Sequence, residues 1–406
     1  MNIRSRPLLP LIALSASLVL CSPAALAVGQ PDIVWQVPGH TNAVNAVNFS
    51  ADGSLLISGA DYDDSSARTW RVADGQPLDT FPGHEWGVQS VGFSADGTRI
   101  AVGYIASGYA PGGLANVYDA YTDTELDTVG GAHVAFSADG EFIASGGGGV
   151  NRYMYVHRLS DGQQFASVYT GAYLLDLAYS PDGQYVATGG SDNNIKLWNP
   201  MTGQLARTLV GHTDDVSAVA FSPDGQLLAS GAGGWDEPSD STIKIWRVSD
   251  GTLLRTLTGH GSFVYDLDFS PDGRYLISSG RTNSSSYIRL WRVAAGDQVD
   301  YYNQGLSGGV LSVKFSPDGS LFAYGRGTGE VVVARSDLPL AGDLNCDGVV
   351  DNFDIAPFTL AISSGPDHEA YYAKYPSCDV TLADLNNDGA VDNFDISAFV
   401  ASLASN

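Results

Sequence analysis

One five-residue phrase recurs along most of the chain at nearly fixed intervals. It reads Phe-Ser-Ala-Asp-Gly from Phe49, Phe93 and Phe136, Tyr-Ser-Pro-Asp-Gly from Tyr179, and Phe-Ser-Pro-Asp-Gly from Phe221, Phe269 and Phe315. The seven copies start 44, 43, 43, 42, 48 and 46 residues apart. The cleanest copy, Gly211 to Val248, sets out the unit: a Gly-His pair, an apolar alternation, the Ser-Pro-Asp-Gly turn, a second apolar run, a polar turn and a strand ending in Ile-Trp. Each copy holds three short strand patterns, and the stretch to the next copy holds a fourth, as in the residues from Thr252 to His260. A small four-stranded sheet cannot hide both of its faces. Stacking such sheets radially buries them, and closing the ring leaves no free end. The repeat therefore predicts an all-β wheel of seven sheets.

These residues resemble the WD-repeat family of beta-propellers over 31–336. The resemblance implies a seven-bladed beta-propeller and a buried network in each blade: the Gly-His histidine, a Ser or Thr on the second strand, an Asp before the third, and the Trp on the third. The matching sets are His212, Ser230, Asp240 and Trp246; His40, Ser58, Asp64 and Trp70; and His260, Ser278 and Trp291 with no clear Asp. The copy from Gly171 keeps Thr188, Asp192 and Trp198 but has Ala172 in place of the histidine, and the copies from Gly131 and Gly308 have lost most of the set. The last copy supplies only three strands. A lone strand pattern at 31–37 is expected to close its sheet, as in WD-repeat propellers, because an incomplete sheet would expose its edge. Insertions at Ala60–Ser66, Tyr104–Gly113, Gly233–Ser241 and Arg281–Ser286 fall between second and third strands and so share one face. Plain long loops are the first expectation there; the alternative is an acid-rimmed aromatic rim of Tyr104, Tyr109, Trp235 and Tyr287, for a peptide, a glycan or a cell-wall component.

Composition narrows the partners. The 406 residues carry 45 acidic and 20 basic side chains, a net charge of −25. Nucleic-acid binding needs clustered Lys and Arg, so this balance argues against it. Arg4 and Arg6 precede an apolar run from Leu8 to Cys21, and Ala25-Leu26-Ala27 offers a cleavage site. That pattern predicts a signal peptide over 1–27 and a secreted or extracytoplasmic protein, with cell-surface association and a lipid-modified Cys21 as alternatives. The run is short for a membrane anchor. Two further cysteines, Cys346 and Cys378, permit one disulfide in an exported chain.

After a linker at 337–341, residues 342–406 carry two nearly identical segments, from Gly342 and from Ala383. Oxygen-bearing side chains fall at loop positions 1, 3, 5, 9 and 12: Asp343, Asn345, Asp347, Asp351 and Asp354, then Asp384, Asn386, Asp388, Asp392 and Asp395. Val349 and Ala390 would add backbone carbonyls at position 7, and Gly348 and Gly389 allow the sharp turn at position 6. A hard cation wanting six or more oxygens explains this spacing, so two calcium ions are expected. After each loop comes one helical pattern: Ile355, Phe358 and Ile362, then Ile396, Phe399 and Leu403. Loop plus exiting helix, duplicated, with Asp at position 12, resembles the type I dockerin family. That resemblance implies docking to a cohesin-like protein partner. The 41-residue offset between loops and the insert Ser363–Thr381 depart from the family pattern.

No zinc-protease helix motif and no phosphate-binding loop are present. The Gly305–Gly309 match to G-x-S-x-G lies between blades, not at a strand-to-helix elbow. His40, His84, His212 and His260 occupy structural Gly-His positions. The sequence thus points to a non-enzymatic protein-interaction or ligand-binding platform with a calcium-dependent docking module. A propeller hydrolase or lyase acting on polysaccharide, and a purely structural calcium-rigidified surface protein, are the alternatives.

Overall fold

The computed structural model describes residues 29–82, 86–105, 113–148, 151–234, 240–281, 286–303, 308–336, 338, 355–363, 368–375, 380–385 and 391–405. Seven four-stranded antiparallel sheets make up the propeller. Their inner strands are Val44–Phe49 (blade 1), Val88–Phe93 (blade 2), His133–Phe136 (blade 3), Leu174–Tyr179 (blade 4), Val216–Phe221 (blade 5), Phe263–Phe269 (blade 6) and Val310–Phe315 (blade 7). Neighbouring inner strands touch in cyclic order, with blade 7 against blade 1. Apolar side chains from adjacent blades interleave into shared clusters, such as Ile245, Val264, Leu267 and Trp291 between blades 5 and 6. This is the radial burial that a single sheet lacks.

The ring closes as the sequence predicts. Ile33–Pro38 pairs antiparallel with Glu330–Arg335, placing Trp35 opposite Val333 and Val37 opposite Val331. The Trp35 indole donates to the Val72 carbonyl at 2.6 Å, which ties blade 7 to blade 1 a second time.

The recurring turn has one geometry throughout. In each copy the Ser hydroxyl donates to the Asp carboxylate at 2.5–2.7 Å. The residue after it needs a left-handed backbone, which only glycine adopts without strain, as at Gly225 with φ +69°. On this face the prolines of blades 4, 5, 6 and 7 abut the turn glycines of the next blade round; Pro181 lies beside Gly225.

A small helical module follows. Its helices are α1 (Ile355–Ser363), α2 (Glu369–Lys374) and α3 (Ile396–Ser405). Phe358 and Phe399 stack at 4.1 Å, and Tyr371 from the expected insert completes their core. Ile355 and Ile396, expected on the buried face, are exposed. The insert supplies a helix to that core, so the two phenylalanines bury and the isoleucines do not. Arg274, next to the blade 6 turn, donates to the Asp384 carbonyl, so the module contacts the face that carries the Ser-x-Asp-Gly turns.

The two-calcium expectation is corrected here. Among the described residues no group of three or more His, Cys, Asp or Glu could hold a metal ion. In the second loop Asp395 is fully buried, and its two carboxylate oxygens accept from the Leu385 amide at 2.7 Å and the Asp392 amide at 3.0 Å. Asp392 accepts in turn from the Phe394 amide. These carboxylates cap a helix entrance, a use of the same residue types that the spacing did not distinguish from cation ligation. Asp343, Asn345, Asp347, Val349, Asp351, Asp354, Asn386, Asp388 and Ala390 lie outside the described residues, as do Cys346 and Cys378. The helical region is real, but a calcium-loop, EF-hand-like or dockerin character is not supported, nor is the disulfide.

Candidate interaction site

The buried networks stand where the sequence places them. In blade 5, Ser230 Oγ lies 2.8 Å from His212 Nε2 and accepts from the Trp246 indole at 2.8 Å, while His212 Nδ1 lies 2.8 Å from Asp240. Blade 1 repeats this with His40, Ser58, Asp64 and Trp70. Burial opposes ionisation of Asp240, but hydrogen bonds from His212 and Thr242 outweigh it and hold the carboxyl well below its ordinary range. Asp64 is held low in the same way, with Ser66 and the Thr41 amide among its donors. Blade 6 lacks the Asp. There His260 keeps Ser278 and Trp291, its Nδ1 is buried without a partner, and burial pushes its pKa down to about 3. Blade 4 keeps the Trp198–Thr188 bond at 2.9 Å, and Ala172 leaves a cavity of about 10 Å³ where the histidine would be.

These histidines are thus structural, each enclosed by its own blade. The residues that face solvent at the axis are different ones. All seven inner strands line a central channel of about 800 Å³. In six of them the pairing register slips between the fifth and third residues before the turn aromatic. Such a bulge re-aims the extra side chain. The residues at that position, Asn45, Gln89, Leu175, Ser217, Tyr265 and Leu311, all line the channel.

One residue later a second set stitches blade to blade. Asp176 accepts from the Val219 amide at 2.8 Å, Asp266 from the Val313 amide at 3.0 Å, and Ser312 from the Val47 amide at 3.1 Å. Blades 1 and 5 have Ala46 and Ala218 there, and the bulge residues take over: Asn45 donates to the Val88 carbonyl and Ser217 to the Val264 carbonyl. Counting back from each turn aromatic would have located both sets in the sequence.

The channel wall is acidic. Asp61, Asp176, Asp215, Asp266 and Asp268 line it against one lysine, Lys314, which is bound to Asp266 at 2.6 Å. Burial pushes Asp176 up to about 7 and Asp268 up to about 6, against the pull of backbone amides and Lys314. His133, also on the wall, is lowered to about 4 by burial and is neutral at pH 7. Asp61 and Asp215 stand at the mouth where the inner strands begin, with Phe263 and Tyr265 stacked 5.3 Å apart beside them.

The alternative aromatic rim is changed. Tyr104 is fully buried, and its hydroxyl donates to Asn116 at 2.5 Å. That bond belongs to a substitute network with Tyr118, Glu125 and Thr128 in a blade without the Trp. Tyr287 is half-buried and stacked on Tyr301. Tyr109 and Trp235 lie outside the described residues. Among the described residues the exposed aromatics at this end of the blades are instead Tyr62, Trp86, Tyr153, Tyr169 and Tyr173.

Five segments, residues 32–71, 75–109, 163–199, 203–247 and 251–292, match the family described as WD domain, G-beta repeat. The inner three strands of blades 3 and 7, which lack the His–Ser–Asp–Trp set, are outside the matched segments. No curated protein matches. Solved structures match broadly, 1835 chains, so the likeness follows the fold and not one function. One of them, in the crystal structure of a mitotic checkpoint complex, has 21% identity and a TM-score of 0.63, covering 76% of this chain and 96% of that one. The expected secreted or extracytoplasmic location is corrected by this comparison, in which the likeness is to a chain of a mitotic checkpoint complex. That expectation rests on an apolar run near the N-terminus, and residues 1–28 lie outside the described ones. No described helix is long and apolar enough to cross a membrane.

Proposed function

Because residues 32–292 form a WD40 beta-propeller domain, we propose that the ring is a non-enzymatic protein-interaction scaffold whose partner presents a basic segment to the channel mouth bearing Asp61 and Asp215. The observation that carries this reading is the acidic channel wall, whose single lysine is already bound to Asp266. A Lys or Arg side chain entering there meets carboxylates in a partly desolvated setting, where charge pairs are stronger than in water. Phe263 and Tyr265 add flat surface for the apolar stem of such a side chain. Among the described residues, the helical module meets the opposite face at the Arg274–Asp384 hydrogen bond. The solved relative's title names a complex, which suits the same general role.

The test is a titration of the whole chain with a lysine- and arginine-rich peptide at low and high salt. Binding should weaken at least about tenfold in an Asp61→Asn/Asp215→Asn variant and fall as salt screens the charges. Equal affinity in both proteins, or preference for an acidic peptide at this mouth, overturns the proposal.

A further inference from the structure

Blade 3 is rebuilt on its outer half. Its third strand, Tyr153–Arg158, carries Tyr153 and Tyr155 on one face, with rings stacked at 6.2 Å. Tyr169, on the neighbouring strand Gln164–Tyr169, packs against Tyr153 at 5.4 Å. The next loop brings up Tyr173, and the Arg152 guanidinium lies over its ring at 4.5 Å. Tyr153, Tyr169 and Tyr173 are 41%, 55% and 39% exposed. So many half-open aromatic rings around one cation mark a surface that is costly to leave wet and well suited to cover.

Charge decides what covers it. In a chain of net charge −25, most described arginines and lysines sit beside a carboxylate or on a backbone carbonyl. Among the described residues Arg152 forms no ion pair. The groups that act on it are the hydroxyls of Tyr173 and Tyr169. Tyrosine hydroxyls leave the positive charge uncompensated, and a guanidinium resting on a ring still presents its N–H fork at the edge. Lys196 lies in the same corner, where it donates to the Thr170 carbonyl at 2.6 Å while paired with Asp192. Lys196 is thus neutralised by Asp192, and Arg152 is the cation of this corner without a carboxylate partner among the described residues.

Resting on the reading of the ring as a protein-binding scaffold, we infer that Arg152, Tyr153, Tyr169 and Tyr173 form a second docking surface, for an acidic protein segment with a proline or aromatic ring next to an Asp or Glu. The partner carboxylate takes the Arg152 N–H groups as a forked pair in place of the tyrosine hydroxyls, and its ring lies on the tyrosines. The propeller then holds two segments of opposite charge at separate places.

Fluorescence polarisation on the full chain tests this with three labelled probes: a peptide of alternating Glu, Pro and Tyr, the same peptide with Lys for Glu, and the basic peptide used for the channel. The acidic probe should bind and lose at least about tenfold in Arg152→Gln, with partial retention in Arg152→Lys, which keeps the charge but not the fork. Arg152→Gln should leave the melting temperature and the basic probe's affinity unchanged. If the acidic probe fails to bind while the basic probe still depends on Asp61 and Asp215, this surface falls and the channel reading stands. If the acidic probe binds equally to Arg152→Gln, or if a uronic-acid oligosaccharide displaces it from Arg152, the assignment to a peptide is overturned.

Discussion

Blades 5 and 3 have the same four strands and the same turn but hold themselves together differently. In blade 5 one hydroxyl, Ser230 Oγ, joins His212 to Trp246, and Asp240 completes the chain. In blade 3 pairing places Ser145 at the serine position and His157 at the tryptophan position. Ser145 Oγ and His157 Nδ1 are buried there without hydrogen-bond partners. Blade 7 instead stacks its own Phe322 and Tyr324 at 6.0 Å, with Tyr302 from the outer strand of blade 6 lying 5.8 Å from Phe322. The ring therefore depends on each sheet burying its faces against its neighbours. The polar network is one way to fill a blade, and a blade freed from it can put aromatic residues to other uses, as blade 3 does.

The largest break in the comparison is Trp246→Ala. This side chain is 2% exposed, and its loss should cost about 3–5 kcal/mol in denaturant unfolding, as for buried aromatics generally. A smaller figure would mean that blade 5 collapses around the gap. The paired substitution sharpens the contrast. Ser230→Ala strips an acceptor from the buried indole and a partner from the imidazole and should cost about 1–3 kcal/mol. Ser145→Ala removes a group that bonds nothing and should fall within about 0.5 kcal/mol of the parent. Equal costs at the two sites would show that the blade 3 serine is satisfied after all.

Acid and base should separate the networks from the channel. Asp64 and Asp240 ionise more readily folded than unfolded, so their stabilisation is present above the ordinary carboxylate range and is lost as pH falls through their lowered values. Asp176 runs the other way. Its folded pKa of about 7 means that the native state holds a proton the unfolded chain releases, so its contribution falls as pH rises from about 4 through about 7. Melting temperatures from pH 5 to pH 8 should decline in the parent and decline less in Asp176→Asn. An unchanged slope would place the titration elsewhere. In blade 4, Ala172→His should cost about 1–3 kcal/mol, because the cavity beside Thr188 is about 10 Å³, room for one water and not for an imidazole. A gain in stability there would show that the blade spreads to admit the ring.

The repeat was legible because it is local chemistry copied seven times. Ser, Asp and Gly in that order build the same turn wherever they occur, and the apolar runs between them match strand length. The partners of His40, His212 and His260 could be read from spacing, since each network lies within one blade. Tyr104 could not be placed, because its burial depends on Asn116 and Glu125 arriving from later strands. The carboxylates of the C-terminal segments looked like cation ligands because an oxygen-rich spacing is compatible both with an ion and with helix capping. Asp395 shows the second use.

From its order of residues alone, this protein is bound to seven sheets and to the strand that closes them, since short-range periodicity fixes both. The acidic channel exists only once the ring has closed, since it gathers side chains from all seven inner strands and no local rule of propensity or spacing specifies which of them will meet. The aromatic corner at Arg152 needs less, one hairpin that sets Tyr153 opposite Tyr169 and the loop that carries Tyr173, but its exposure is decided by how blades 3 and 4 pack.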